Sequence, residues 1–313
     1  MKSKSNRSRR EVMKSMALAV GAAYAGLPEA LAKSIGPREL KIGHTCITWS
    51  TFPPRPGSHD ETLPLALKDI SAEGFWNFET FIQDIADWDE RGKLAPLIEQ
   101  YRTPFLSAYT AVDVLNQANR KAEIARLTQQ CQTVKKYHGR YIVLQVNPIH
   151  PATYNFKDHR ADIVSGLNDY AAVITDMGLQ TGLHQHTGTA VESRDEVYAV
   201  MDAVNTEKLK FAPDVGQLQK GGADAAQVVK DFLPLVTHMH LKDYKGWQYY
   251  GGYCPLGMGV VDIPAILDMM ETRGLQTGIM VELDPSKDGP MSPLETAKTS
   301  KAYLEKAGFR FRS

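Results

Sequence analysis

No surplus of either charge is present: 36 lysines and arginines are matched by 36 aspartates and glutamates. Without a basic excess the chain lacks the electrostatic footprint of a nucleic-acid binder, and it carries no long acidic tail. Cysteine is scarce, with three residues and no metal-binding Cys spacing. That excludes a disulfide scaffold and a zinc finger, and leaves at most one bridge, for which Cys46 and Cys254 are the candidates; Cys131 falls in a helical pattern. No internal apolar run of about 18 residues occurs, so nothing reads as a membrane span. No Gly-rich phosphate loop follows the first strand, which counts against a doubly wound nucleotide fold.

The N-terminus reads as a leader. Ser8-Arg9-Arg10-Glu11-Val12-Met13-Lys14 resembles a twin-arginine export signal, with an Ala-rich apolar stretch from Met16 to Ala25 behind it. Ala30-Leu31-Ala32 is a small-x-small cleavage site, and Ala23-Tyr24-Ala25 is a second. Residues 1–32 are therefore expected to be a signal peptide, retained as an anchor if uncleaved, and the protein to be periplasmic. Residues 33–313 remain as one domain of about 280 residues, near the roughly 250 typical of a (β/α)8 barrel.

Along that domain, β-rich runs alternate eight times with helical patterns. The expected strands are Leu40–Thr45, Trp76–Thr80, Pro104–Tyr109, Tyr141–Val146, Gln180–His184, Lys210–Asp214, Thr237–Leu241 and Gly278–Leu283. The expected helices are Leu63–Glu73, Lys93–Tyr101, Asn119–Tyr137, Ala161–Met177, Arg194–Val204, Ala223–Phe232, Pro264–Arg273 and Pro293–Ala307. Glu73-Gly74, Met177-Gly178 and Arg273-Gly274 give C-cap glycines at three helix ends. Strict alternation means a parallel sheet, and eight units closing on themselves give a single α/β (β/α)8 TIM barrel. The segments Phe52–Ser58 and Tyr244–Gly259 follow strands and are expected to cover the catalytic face.

Four apolar runs end in metal-ligand residue types: His184, Asp214, His240 and Glu282. In a parallel barrel all strand ends meet on one face, so these residues form a candidate divalent metal site. Mixed imidazole and carboxylate ligands suit Mn2+, Co2+, Fe2+ or Zn2+ better than Ca2+. Side chains two apart point the same way, so His184 shares a direction with His186, and so do His238, His240 and Lys242, and Met280, Glu282 and Asp284. Glu79 ends the second strand and is a candidate base, acid or substrate anchor; its simpler explanation is pairing with a neighbouring cation. Lys242 is a candidate to polarise a carbonyl. Asp243 is expected to be a structural cap, and Glu192 to stabilise a helix N-terminus. His186 and Gln217 are candidates for substrate contact. Trp49, Trp247, Tyr249 and Tyr250 belong to loops on the same face and are candidates to stack on a sugar ring.

The order of these motifs, HxH in the fifth strand, Asp-x-Gly after the sixth, His-x-Lys-Asp in the seventh and Glu ending the eighth, resembles the sugar phosphate isomerase/epimerase superfamily of xylose isomerase-like barrels. The resemblance spans about residues 40 to 310. Within it, His184-Gln185-His186-Thr187-Gly188-Thr189, Gly257-Met258-Gly259-Val260-Val261-Asp262 and Glu282-Leu283-Asp284-Pro285 are similar to the inosose dehydratase group. The resemblance implies one ion, Mn2+ or Co2+ in type, held by His184, Asp214, His240 and Glu282, and a sugar or cyclitol whose carbonyl and neighbouring hydroxyl chelate it. Sugar epimerases of this superfamily commonly carry Glu where this chain has His184, and use two ligand glutamates on opposite faces of the substrate. That pair is gone here, and Gln217 stands where the family often has His.

The expected chemistry is proton abstraction next to a metal-bound carbonyl, with Glu282 or Glu79 as base and His186 or Lys242 as general acid. Departure of a β-oxygen makes the enzyme a lyase, or dehydratase; reprotonation makes it an isomerase or epimerase. The lost glutamate pair favours the lyase. A metal-dependent endonuclease on the same barrel needs more ligands and a basic face, which the charge balance does not supply. A non-catalytic sugar-binding protein needs no intact metal set. The expected partner is a small sugar or cyclitol, and self-association into an oligomer is left open.

Overall fold

The computed structural model describes residues 38–51, 59, 61–150 and 152–313. The expected leader, residues 1–32, and the segment 52–58 lie outside the described residues. Eight parallel strands form one sheet: β1 (Ile42–Thr45), β2 (Phe78–Phe81), β3 (Phe105–Val112), β4 (Tyr141–Val146), β5 (Gln180–His184), β6 (Leu209–Phe211), β7 (Met239–Leu241) and, after a short antiparallel hairpin of β8 (Asp243–Tyr244) with β9 (Tyr253–Cys254), β10 (Ile279–Val281). The order is β6-β5-β4-β3-β2-β1-β10-β7. Single parallel bridges, Phe211 with Val236 and Asp214 with His240, join the two ends. This is the expected (β/α)8 barrel.

The helices are α1 (Leu63–Ala72), α2 (Ile82–Glu90), α3 (Leu94–Tyr101), α4 (Arg120–Lys136), α5 (Phe156–Asp176), α6 (Arg194–Met201), α7 (Val215–Lys220), α8 (Ala225–Asp231), α9 (Ile263–Thr272) and α10 (Pro293–Lys306). Their apolar faces and the outward faces of the strands make the main core, for example Leu67, Ile70, Leu127, Leu167, Ile266 and Leu304. Burial of such side chains contributes about 1.5–3 kcal/mol each and drives the closure.

Two helices lie outside the expected set. The segment after β2 folds at once into α2, burying Ile82, Ile85 and Trp88 at i, i+3 and i+6; the expected single helix before β3 is a pair. The other is α7, begun by Asp214 as its N-cap, whose carboxylate Oδ1 accepts from the Gln217 amide at 2.9 Å. The expected strand to Asp214 therefore stops at Phe211, and a capping preference of Asp wins over strand continuation. Helix α5 also starts five residues earlier than expected, at Phe156, because Asn155 caps it through its side chain.

Candidate active site

Parallel register sets the polar ends side by side. Thr45 pairs with Glu79, Gln145 with His184, and Met280 with His240. Buried ligand atoms of His184, Asp214 and His240 lie within 4.8 Å of one another, as do those of Glu79, His238 and His240.

Hydrogen bonds fix the histidine tautomers, because a carbonyl or carboxylate oxygen can only accept. His184 Nδ1 donates to the Ala212 carbonyl at 3.0 Å, which leaves Nε2 bare. Burial and the neighbouring His240 hold His184 well below the usual imidazole range. His240 Nε2 donates to Glu79 Oε1 at 2.5 Å, and its Nδ1 stands 3.0 Å from Glu282 Oε2. Burial disfavours a charged His240, yet the charges of Glu282 and Glu79 outweigh it and hold the ring well above the usual range. The nitrogen facing Glu282 thus calls for a positive partner, a proton or a cation.

Lys242 is fully buried at the centre of a carboxylate clamp: Nζ lies 2.6 Å from Glu282 Oε1, 2.9 Å from Asp284 Oδ1 and 3.0 Å from Asp214 Oδ2. It also sits 4.6 Å above the Tyr253 ring. Gly216 makes room for its stem, since a Cβ there would meet Lys242 Cγ at 2.7 Å. Burial works against the ammonium, but the charges of Asp214, Asp284 and Glu282 more than offset it and raise Lys242 well above the usual range. Glu282 is held well below the usual carboxylate range: burial raises it, and His240 and Lys242 outweigh that. Asp214 goes the other way. Burial, and then the charge of Glu282, raise it despite Lys242.

A cleft enclosing about 370 Å³ opens over these groups, lined by Glu79, Tyr109, His184, His186, Glu282 and Asp284 among others. A wider cavity at the opposite mouth of the barrel is lined by Lys135, Arg140 and Arg273 and by no carboxylate. The carboxylates therefore belong to the smaller cleft at the strand C-termini, while His238 faces the other cavity.

A family profile described as xylose isomerase-like TIM barrel matches residues 67–307. The chain belongs to that family. An inosose dehydratase from Lactiplantibacillus plantarum is 22% identical over 298 residues, 86% of this chain and 96% of its own. The chain spans about half the length of the first curated relatives it matches, which are also inosose dehydratases (53% of the one from Clostridium perfringens, at 25% identity over 158 residues and 46% of this chain). Among solved structures, the IolI protein with a bound zinc atom superposes with a TM-score of 0.67 at 16% identity, over 86% of this chain and 98% of that one. A D-allulose 3-epimerase from Methylomonas sp. gives 0.68 at 16%, over 87% and 99%. At these identities the two structures speak to the fold alone.

On this xylose isomerase-like barrel the expected site residues separate. Glu79, His184, His186 and Glu282 line the cleft. Asp214, His240 and Lys242 lie buried beneath it. Two residues expected at the substrate are elsewhere. Trp49 is buried, donating Nε1 to Asp69 Oδ2 at 2.8 Å and meeting His44 edge-on, so it is wall packing. Gln217 is also buried; its Oε1 accepts from Thr187 and its Nε2 holds His186 Nε2. Its groups are consumed in fixing the His186 ring, whose Nδ1 donates to the Thr187 carbonyl. Trp247 donates to the Tyr253 carbonyl and packs with Tyr249 and Tyr250 in a cluster above Leu283.

Asp243 does the structural work expected of it, accepting from the backbone amides of Tyr244, Gly257, Gly259 and Val261. Glu192 instead holds the turn before α6 through the Gly188 amide. The three cysteines are buried and form no disulfide, so the candidate Cys46–Cys254 bridge is not made. Sequence reasoning assigned no role to Asp284, His238 or Tyr109. The i, i+2 spacing from Glu282 and His240 was the available signal for the first two; for Tyr109 it was the strand end itself.

Proposed function

We propose that this protein is a divalent-metal-dependent carbon–oxygen lyase, a dehydratase acting on a keto-sugar or keto-cyclitol of inosose type. The carrying observation is the convergence of His184, Asp214 and His240, with Glu282 against the bare side of His240. Ligand atoms held at about 2.1 Å from one ion stand about 3 Å apart, the spacing between His240 Nδ1 and Glu282 Oε2. Both that nitrogen and Asp214 Oδ2 are buried, and each meets only a charged neighbour, Glu282 Oε2 and Lys242 Nζ, at 3.0 Å without hydrogen-bond geometry. Four carboxylates (Glu79, Asp214, Glu282, Asp284) face one ammonium and one imidazole that is neutral when its Nδ1 acts as a ligand, so negative charge remains for a cation to meet. The raised pKa of Asp214 expresses the same deficit. The residues fit a divalent cation, with His184 Nε2, Asp214 Oδ2, His240 Nδ1 and Glu282 as its ligands. Mixed nitrogen and oxygen donors suit Mn2+, Co2+, Fe2+ or Zn2+, and the family resemblance favours Mn2+ among them.

An ion held there supplies Lewis acidity toward a substrate carbonyl and so acidifies the adjacent C–H. Glu282 is the base: it lines the cleft, and its low pKa keeps it ionised. Removal of the proton breaks the C–H bond; the β C–O bond then breaks, and the departing hydroxide leaves as water once protonated. His186, on the same cleft, is the acid for that step, which requires its Nε2 to exchange the Gln217 amide contact for a proton. Lys242 does not line the cleft; it fixes Glu282 and Asp214 in place. His184 stands where a second carboxylate base would be needed to return a proton on the other face of the substrate, and this asymmetry supports elimination over epimerisation. The inosose dehydratase relatives support the same reading. The twin-arginine leader supports a reaction outside the cytoplasm on an unphosphorylated substrate.

Mass spectrometry after incubation of the Mn2+-loaded protein with inososes and keto-glycosides in deuterated water tests this. A product lighter by water is expected. A product of unchanged formula carrying a carbon-bound deuteron makes the enzyme an isomerase or epimerase instead. Binding without either change overturns catalysis on these substrates.

A further inference from the structure

Glu79 lines the cleft and yet both of its oxygens are engaged. Its Oε2 accepts from Ser107 Oγ at 2.6 Å and from His238 Nε2 at 2.8 Å, and its Oε1 accepts from His240 Nε2 at 2.5 Å. The arrangement is built from three strands. A register shift between Phe78 and Glu79 carries Glu79 past Leu106 to pair with Ser107 of β3, re-aiming its side chain into the barrel. His238 is stacked on Tyr141 at 4.7 Å and 18°, and Tyr141 is tied to Thr237 through their hydroxyls at 2.9 Å. A base must offer a lone pair to substrate; three of the four acceptor sites on the Glu79 carboxylate are filled by short hydrogen bonds, and the side chain is buried, so little of it is left to offer.

We propose that Glu79 is a positioning residue: held by Ser107 and His238, it accepts the hydrogen bond of His240 Nε2–H and so fixes Nδ1 as the nitrogen presented to the cation. This rests on the reading that His240 binds an ion, and it leaves Glu282 as the only base of the two candidates. Histidine ligands commonly donate their other nitrogen to a carboxylate in this way, which sets the tautomer and raises ligand basicity. The contact spans 161 residues of sequence separation, so no local pattern discloses it.

The test compares wild type, Glu79→Gln and Ser107→Ala in the full-length protein, by direct Mn2+ titration and by the visible absorption bands of the Co2+-loaded form. Glu79→Gln is expected to weaken Mn2+ binding by about 10–100-fold and to shift the Co2+ bands. Ser107→Ala, which leaves the carboxylate in place, should move both in the same direction by less; it also keeps the test alive if Glu79→Gln does not fold. Unchanged Mn2+ affinity and Co2+ bands in the folded variants overturn the proposal. So does a loss of substrate C–H exchange in Glu79→Gln that no Mn2+ concentration relieves, with affinity intact, which would make Glu79 the base. Failure of the wild type itself to bind Mn2+ or Co2+ overturns the metal reading and this inference with it, and is told apart because no variant is then needed to see it.

Discussion

Glu79 and Glu282 grip the same imidazole from opposite sides, yet they live in different surroundings. Glu79 is closed in by three neutral or imidazole donors on β3 and β7. Glu282 faces the cleft with one oxygen against the Lys242 ammonium and the other against a ring nitrogen that lacks a hydrogen-bond partner. Both are pushed below the ordinary carboxylate range, against burial, by His240 in the first place. The similar shifts conceal different availability. A low pKa marks a carboxylate that is charged; only the count of donors around its oxygens says whether it can also react.

Removing the open member should produce the largest effect. Glu282→Gln deletes the proposed base and one ligand, and substrate C–H exchange should fall by about 10²–10⁴-fold at any Mn2+ concentration. Hydrogen–deuterium exchange at the substrate carbon, followed by NMR, measures it. Exchange within tenfold of wild type would break the contrast and move the base elsewhere on the cleft, to Asp284 before any other.

Next in size is the clamp that distinguishes the Glu282 side. Lys242→Met fills the same channel past Gly216 but leaves Asp214, Glu282 and Asp284 facing one another without their ammonium. Breaking a buried ion pair from one side costs about 3–5 kcal/mol, and urea unfolding of the metal-free protein should show a loss of that order. Added Mn2+ should recover more stability in the variant than in wild type, because it then meets charge that nothing else does. A variant as stable as wild type would mean that the carboxylates around Lys242 are protonated rather than clamped.

How far this site was legible follows the same division. The four ligand-type residues could be read because each closes an apolar run, and strand ends in a parallel barrel converge by topology alone. The eight strands emerged for the same reason. What stayed hidden depends on lateral partners. The side of His240 that Glu79 occupies is set by a register shift between β2 and β3. Whether Lys242 reaches substrate or three carboxylates depends on the space left by Gly216. Asp214 looked like a strand end but caps a helix, since its carboxylate has an amide to accept from only if the chain turns there. Trp49 shows the opposite error: loop placement suggested a sugar platform, while Asp69 on α1 draws its indole into the wall. Residue type and period locate a site, and the hydrogen-bond partners that assign its roles come from distant strands.

The smallest expected effect probes the wall behind Glu282. His44, on β1, is buried with Nδ1 on the Thr45 carbonyl at 2.9 Å, and Phe75 and Trp49 pack edge-on against its ring. Burial lowers it from 6.5 to about 4, and the Thr45 carbonyl and the charge of Glu282 only partly offset that. With the folded value below the unfolded one, the unfolded chain binds the extra proton between them. Stability from a neutral His44 is therefore complete above pH 6.5 and is lost as pH falls toward about 4, to a total on the order of 3 kcal/mol. His184 and His238 are also lowered and act in the same direction, so the measurement is the difference in acid unfolding between wild type and His44→Leu. The variant should lose part of the slope between pH 6.5 and 4. In Glu282→Gln the same slope should steepen, because the one carboxylate that eases a charge onto His44 is gone. Because Glu282 also holds His240 up, an unchanged slope there would show that it eases a charge onto neither imidazole and acts on Lys242 alone.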